Sequence, residues 1–139
     1  MKKLLKMGIC IMMAAVVLSG CGGGNSKTET AVYEGEINGV KVSNTIDYSG
    51  DRVLKQTSVS EMNFKDLGIT KDLMEQTVAQ YKKLYDIKGV TYKADITDDT
   101  ISETTVIDYE NADFDALKTA KLITSTKEDG KILYVSYEQ

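Results

Sequence analysis

An Asn-Gly pair beside a segment of alternating polarity is the feature of this sequence that most restricts its fold. The pair is Asn38-Gly39, and the residues after it alternate between apolar and polar side chains. The apolar set is Val40, Val42, Ile46 and Tyr48. A type I′ turn needs positive φ at both central residues, which Asn and Gly tolerate, and alternation with period two gives a strand one buried face. The pattern therefore predicts an antiparallel hairpin around this turn.

Further strands are predicted along the rest of the chain. The turn signal Ser49-Gly50-Asp51 leads into residues 52–63, which are rich in Val, Thr and Ser, so the chain opens with a three-stranded meander. Residues 90–96 and 100–109 alternate in the same way and predict two more strands. Weaker signals near the end of the chain predict short strands at residues 121–125 and 132–135.

One long amphipathic helix is predicted between the third and fourth strands, over residues 70–85. Thr70 suits the N-cap, Asp72 suits the first turn, and apolar residues then recur at helical spacing from Leu73 to Tyr81. A short helix carrying Phe114 follows the fifth strand. The predicted fold class is α+β: a mostly antiparallel β-sheet with one long helix packed on one face.

The N-terminus has the layout of an export signal. A positively charged start precedes an apolar stretch that is shorter than the about 20 residues a membrane span requires. The stretch ends in Leu18-Ser19-Gly20-Cys21, which resembles the lipobox of bacterial lipoproteins. The resemblance implies that the Cys21 thiol takes a diacylglycerol, that signal peptidase II cuts after Gly20, and that the new N-terminus can take a further N-acyl chain.

This interpretation divides the chain into three parts. Residues 1–20 are a cleaved signal peptide, residues 21–31 are the lipidated cysteine and a flexible Gly-rich tether, and residues 32–139 are a single α+β domain. The expected location is the extracytoplasmic face of the cell membrane, where the lipid holds the protein. Cys10 leaves with the signal, so the mature domain has no second thiol for a disulfide.

Composition excludes several activities. The 139 residues include no His, Trp or Pro, and the formal net charge is −4. Absence of His excludes His-based acid/base catalysis, His zinc ligands and Ser-His-Asp triads. The acidic balance argues against nucleic acid as a partner, because Lys and Arg must neutralise its phosphates. No catalytic residue, metal site or cofactor is predicted, apart from the covalent lipid.

Two segments resemble a known family. Residues 48–58 read Tyr-Ser-Gly-Asp-Arg-Val-Leu-Lys-Gln-Thr-Ser, and a second match runs from Ile107-Asp108-Tyr109-Glu110 to Asp113-Phe114 and Ala116-Leu117. These segments resemble the YehR-like lipoproteins, a bacterial family of unknown function, over residues 32–117. The resemblance implies an exported, lipid-anchored protein and brings no assigned activity or site residues.

The family resemblance also raises an expectation about the C-terminus. YehR-like relatives continue into a C-terminal helix, and Ser136-Tyr137-Glu138-Gln139 has the Ser-x-x-Gln form of a helix capping box. We therefore expect that a helix starts here in the parent architecture and that this chain lacks the rest of it.

Three groups of side chains are candidate sites. Asp51, Arg52, Lys55 and Gln56 could form a polar recognition patch, or merely a turn and a solvated strand face. Tyr81, Tyr85 and Tyr92 could offer a stacking surface to a glycan or peptide, or simply pack between helix and sheet. Acidic residues between positions 95 and 115 match no EF-hand spacing and are explained by turns and a helix cap.

Three functions remain open. The first is a membrane-anchored binding or interaction module whose ligand is an envelope protein or a small molecule. The second is an envelope enzyme without His or Cys that uses carboxylates, Lys or Tyr. The third is a truncated or vestigial lipoprotein with no binding activity.

Overall fold

The computed structural model describes residues 27–130 and 132–137. The lipobox residues Leu18 to Cys21, the signal peptide and most of the tether lie outside this part, as do the last two residues of the C-terminal capping-box pattern. The strands are β1 (Glu29–Ile37), β2 (Val40–Ser49), β3 (Arg52–Asn63), β4 (Val90–Ile96), β5 (Thr100–Asp108), β6 (Lys127–Asp129) and β7 (Ile132–Ser136). The helices are α1 (Lys71–Leu84) and α2 (Phe114–Thr119).

The sheet is antiparallel throughout the described residues, in the order β1-β2-β3-β5-β4. The mostly antiparallel sheet predicted from the sequence is confirmed, and β1, β2 and β3 form its opening meander. Strand β7 pairs with β6 and with the first two residues of β3, beside the end of β5. No helix in the described part of the chain is long and apolar enough to cross a membrane.

The helical content differs from the predicted fold class, which named one long helix. Two helices are present among the described residues, of 14 and six residues. Thr70 is the N-cap of α1 and accepts a hydrogen bond from the Leu73 backbone N–H. Helix α1 packs on β4, and its buried Met74 and Val78 join a core cluster with Phe64 and Ile101.

Two boundaries in the prediction were wrong. Strand β1 begins at Glu29, three residues before the predicted domain start, because the polar residues that suggested a tether pair with the end of β2. Residues 121–125 are not a strand. Lys121 has a positive φ of 58°, and the N–H groups of Lys121 and Leu122 return to Lys118 and Leu117, which ends α2 in a Schellman motif.

Side chains of the sheet divide into two faces. The inner face carries Ile46, Ile101 and Ile107 and packs on both helices and on the segment after α2. The outer face carries mostly Thr, Ser, Lys and acidic residues, since neighbours along a strand point to opposite sides. Helix α1 packs against the β4–β5 side of the inner face. Part of the inner face therefore remains open beside the helix, and this opening contains the candidate site.

Gly89 is required where the chain passes from α1 into β4. Its φ is +84°, and a Cβ on it would lie 2.5 Å from the Ala112 Cα. Replacing Gly89 with alanine is expected to lower the free energy of unfolding by about 3 kcal/mol, since left-handed strain and a backbone clash both act. Gly50→Ala is the control: its φ is +58° but nothing lies within 4 Å. For Gly50→Ala we expect the free energy of unfolding to fall by about 1 kcal/mol. If urea unfolding shows equal losses for Gly89→Ala and Gly50→Ala, the clash with Ala112 is contradicted.

Candidate binding cleft

A cleft of about 240 Å³ lies between the C-terminal half of α1 and the inner face of the sheet. Strands β2, β3, β5 and β4 provide its floor and α1 provides its wall. The lining residues are Val42, Ser58, Val59, Ser60, Tyr81, Tyr85, Tyr92, Glu103 and Thr105. Tyrosine rings and polar side chains therefore face the same small space.

Three tyrosine rings form the wall of the cleft. Tyr81 lies on α1 and Tyr85 is the C-cap residue of this helix, one turn later. Their rings are parallel, with centroids 5.6 Å apart and an interplanar angle of 2°. The Tyr92 ring, on β4, meets both rings edge to face, at 79° and 77°. Edge-to-face contacts stabilise aromatic clusters through the ring quadrupoles. Tyr81 remains 37% exposed, so one ring of the cluster is open to a ligand.

A hydrogen-bonded row of polar side chains crosses the floor of the cleft. The Tyr92 hydroxyl donates to the Glu103 carboxyl group, and Ser60 Oγ donates to its other oxygen at 3.5 Å. Ser60 and Glu103 meet because they are register partners in β3 and β5. Polar residues on the inner face of a sheet replace apolar packing that would otherwise stabilise the fold. Their presence here marks a surface that contributes less to the core than its neighbours.

A second polar row lies beside the first. Tyr109 donates its hydroxyl to Gln56 Oε1 at 3.0 Å, and Gln56 Nε2 donates to Ser58 Oγ at 3.3 Å. Ser58 Oγ in turn donates to Asn44 Oδ1 at 2.5 Å. Every described side-chain polar atom that is fully buried has a hydrogen-bond partner. The row is therefore held in place without a ligand.

The Tyr92 hydroxyl is a hydrogen-bond donor, and the hydroxyls of Tyr85 and Tyr92 both hold their protons at neutral pH. Burial, with a further contribution from the hydrogen bond to Glu103, raises the pKa of the Tyr92 phenol well above its usual value. Burial also raises the pKa of Tyr85. Phenols with raised pKa values remain protonated at neutral pH, so neither group is suited to act as a base or nucleophile.

Tyr109 makes stability depend on alkaline pH. Burial raises its pKa to about 12. In the unfolded state this phenol titrates near pH 10. The contribution of the buried neutral phenol to the free energy of unfolding is therefore complete below about pH 10 and is lost as the pH rises toward 12. Between pH 8 and pH 11, wild type is expected to lose about 1.4 kcal/mol more than Tyr109→Phe. Urea unfolding at both pH values measures this; parallel losses in the two proteins would contradict it.

The four residues of the predicted recognition patch do not come together. Asp51 accepts hydrogen bonds from Ser136 Oγ at 2.5 Å and Lys127 Nζ at 2.8 Å. The Arg52 guanidinium lies 5.2 Å from the Tyr134 ring centroid and has a nitrogen 3.9 Å from an Asp129 oxygen. These two residues thus hold the β6–β7 hairpin.

The other two patch residues lie on opposite faces of β3. Lys55 is exposed on the outer face, whereas Gln56 belongs to the polar row on the inner face. The Tyr48 ring stacks on that of Tyr137 at 3.8 Å, near the turn before β3. The first part of residues 48–58, one of the two segments that carry the family resemblance, therefore attaches the C-terminal hairpin to the sheet.

Sequence reasoning missed Glu103 and Ser60 as site residues. Glu103 was counted among solvated acidic residues, although it shares the inward parity of Ile101 and Ile107 on β5. A glutamate at an inward position of an alternating strand was the available signal. Among the other acidic residues, Asp98 and Asp99 form salt bridges with Lys71 and Lys65, and Asp113 caps α2 by accepting from the Ala116 N–H at 3.0 Å. Within residues 27–130 and 132–137, no group of acidic, Cys or His residues could hold a metal ion.

Comparison with known proteins identifies the family. The sequence model of a family described as protein of unknown function (DUF1307) matches residues 29–139, and the chain belongs to this family. It is 33% identical to the uncharacterized lipoprotein YehR of Escherichia coli K12 over 126 residues, covering 87% of this chain and 80% of the relative. The predicted resemblance to YehR-like lipoproteins is confirmed.

Relatives also occur in Listeria. The chain is 36% identical to the uncharacterized lipoprotein Lmo0207 of Listeria monocytogenes, covering 77% of this chain and 71% of that protein. It is 33% identical to the uncharacterized lipoprotein Lin0239 of Listeria innocua, covering 93% of this chain and 86% of that protein. The NMR structure of Escherichia coli YehR superposes with a TM-score of 0.56 at 33% identity, over 70% of this chain and 72% of that one. The protein is a member of a lipoprotein family of unknown function.

Proposed function

We propose that this lipoprotein is a membrane-anchored binding module whose ligand occupies the cleft between α1 and the sheet. The observation that carries the proposal is the convergence of three tyrosine rings and the Glu103 carboxyl group on one opening. Binding sites typically combine apolar or aromatic walls with a few placed polar groups. The cleft fits that description.

We further propose that Cys21 carries the lipid and holds the domain on the extracytoplasmic face of the cell membrane. The Leu-Ser-Gly-Cys pattern and the lipoprotein relatives support this assignment. A domain held there meets the components of the envelope by diffusion along one surface. Its ligand is accordingly expected among small envelope molecules or exposed parts of envelope proteins.

The chemistry of the cleft favours a sugar ring as the ligand. Aromatic rings stack on the C–H face of a sugar, while carboxyl and hydroxyl groups hydrogen-bond to its edge. The volume of the cleft, about 240 Å³, is smaller than the roughly 300–1,000 Å³ of typical small-molecule sites. A cleft of this size suits a single sugar ring rather than a long ligand. The open Tyr81 ring would then stack, and Glu103 and Ser60 would fix orientation.

Binding is a better account of this cleft than catalysis. Glycoside hydrolysis needs two carboxyl groups about 5–9.5 Å apart, and Glu103 is the one acidic residue among those that line the cleft. The raised pKa values of Tyr85 and Tyr92 disfavour a phenolate at neutral pH. The proposal is therefore a recognition site without a chemical step.

A titration followed by ¹H–¹⁵N NMR tests the proposal, with N-acetylglucosamine and soluble muropeptides as probes. We expect shift changes confined to the amides around Ser60, Tyr81 and Glu103, and loss of binding in Tyr81→Ala and Glu103→Gln. Leu84→Ala is the matched control, because Leu84 is also an exposed residue of α1, at 48%. Absence of localised shifts with every probe would overturn the sugar assignment.

A further inference from the structure

We propose that the β6–β7 hairpin rests on the lipid bilayer beside the anchor, with Ile132 and Leu133 in contact with the headgroup and upper acyl region. This inference rests on the lipid being attached at Cys21, as proposed above. It concerns the end of the sheet near the anchor and does not depend on the cleft.

The hairpin exposes apolar residues on both of its sides. Ile132 is 55% exposed and Leu133 is 40% exposed, and they are consecutive residues of β7. Consecutive residues of a strand point in opposite directions, so a solvated hairpin strand would normally place at least one polar residue here. The start of β7 therefore presents an apolar edge that the described residues leave partly uncovered.

The hairpin lies at the end of the domain where the chain comes from the anchor. Thr28, just before β1, lines one depression with Arg52, Glu110 and Tyr134. A second depression shares those last three residues and continues to Ile132 and Leu133. The exposed apolar edge and the point where the tether enters the domain are thus neighbours on one surface.

Chain length keeps this end of the domain close to the membrane. Seven residues lie between Cys21 and Glu29, which makes eight Cα-to-Cα steps. A chain spans at most about 3.6 Å per step, so these two Cα atoms lie within about 29 Å whatever the conformation between them. A Gly-rich coil of this length would average about 14–17 Å. The opposite end, with the Asn38-Gly39 turn and the start of α1, lies a further β3 length away, about 40 Å for 12 residues.

Two of the three charged residues of β6 have an oppositely charged partner, and the third, Glu128, is exposed beside Leu133. Lys127 is paired with Asp51 at 2.8 Å, and Asp129 lies 3.9 Å from Arg52. The pairing lowers the cost of bringing these groups toward lipid, although the domain as a whole is acidic. Contact is therefore expected to be apolar in origin, stronger on phosphatidylcholine than on vesicles rich in phosphatidylglycerol, and little affected by salt.

A single introduced tryptophan tests this contact, because the chain contains no other. Lipidated Ile132→Trp is reconstituted in phosphatidylcholine vesicles with brominated acyl chains. We expect a blue-shifted emission that the brominated lipid quenches strongly. The matched control is Leu73→Trp, which replaces an apolar residue of similar exposure, 53%, near the start of α1. Its emission should remain solvent-like and unquenched.

Amide hydrogen exchange on the protein without tryptophan provides an independent readout. Residues 132–136 should exchange more slowly in the vesicle-bound lipoprotein than in soluble Cys21→Ala. Vesicle flotation of each sample separates the two claims, since a protein that fails to float lacks the anchor, whereas one that floats without quenching lacks the hairpin contact. A blue shift of Ile132→Trp that depends on protein concentration and appears without vesicles would indicate a second copy on the hairpin and would overturn the proposal.

Discussion

Replacing Cys21 with alanine is expected to abolish attachment of the diacylglycerol, and with it the membrane affinity that this lipid gives to the mature domain. Thiol-linked diacylglycerol contributes two acyl chains, and each buried CH₂ contributes about 0.8 kcal/mol, so the membrane affinity lost is many orders of magnitude. Cell fractionation with intact-mass analysis measures both the location and the lipid on the mature N-terminus.

Cys10→Ala is the matched control, since Cys10 lies within the predicted signal and should be removed with it. It should leave membrane attachment and mature mass unchanged. A Cys21→Ala protein that still has the mass of a lipidated chain, or a mature wild-type protein that retains residues 1–20, would contradict the lipobox assignment.

Replacing Phe64 with alanine should cause the largest loss of stability among single core changes. Phe64 is 1% exposed and packs with Met74, Val78 and Ile101, where it joins the end of β3 to α1. Loss of the buried ring and formation of a cavity are expected to cost about 3–5 kcal/mol. The free energy of unfolding of a domain is about 5–15 kcal/mol, so this loss would be a large fraction of the total stability. Guanidinium unfolding monitored by circular dichroism measures the loss.

Leu67→Ala tests whether that loss reflects burial. Leu67 lies three residues away and is 48% exposed. Its replacement is expected to change the free energy of unfolding by no more than about 0.5 kcal/mol. Similar losses in the two variants would contradict the placement of Phe64 in the core.

Local chemistry explains why parts of the fold were predictable from the sequence. Asn38 and Gly39 have φ values of 53° and 80°, as a type I′ turn requires, and the alternation after them sets the register of β2. Thr70 caps α1 through its hydroxyl group. Turns, caps and alternation depend on neighbours within a few residues, so sequence patterns report them well.

Other parts of the fold depend on contacts between residues that are far apart in the sequence. Asp51 bonds to Ser136, 85 positions later, and the Tyr33 and Tyr137 hydroxyls meet at 2.6 Å across 104 positions. No local pattern predicts such pairs, which is why the Asp51-to-Gln56 patch was interpreted as a surface. The cleft was partly predictable: spacing suggested Tyr81, Tyr85 and Tyr92, but the inward position of Glu103 became clear only from the strand register.

In-cell photo-crosslinking from the cleft tests the central claim most directly. A photoreactive phenylalanine analogue would replace Tyr81 in the lipidated protein, and a second protein would carry it at Lys93, an exposed residue on the outer face of β4. We expect a specific adduct from position 81 that disappears with Glu103→Gln, and none from position 93. Equal adducts at both positions, or none at position 81, would contradict the assignment of the cleft as the binding site.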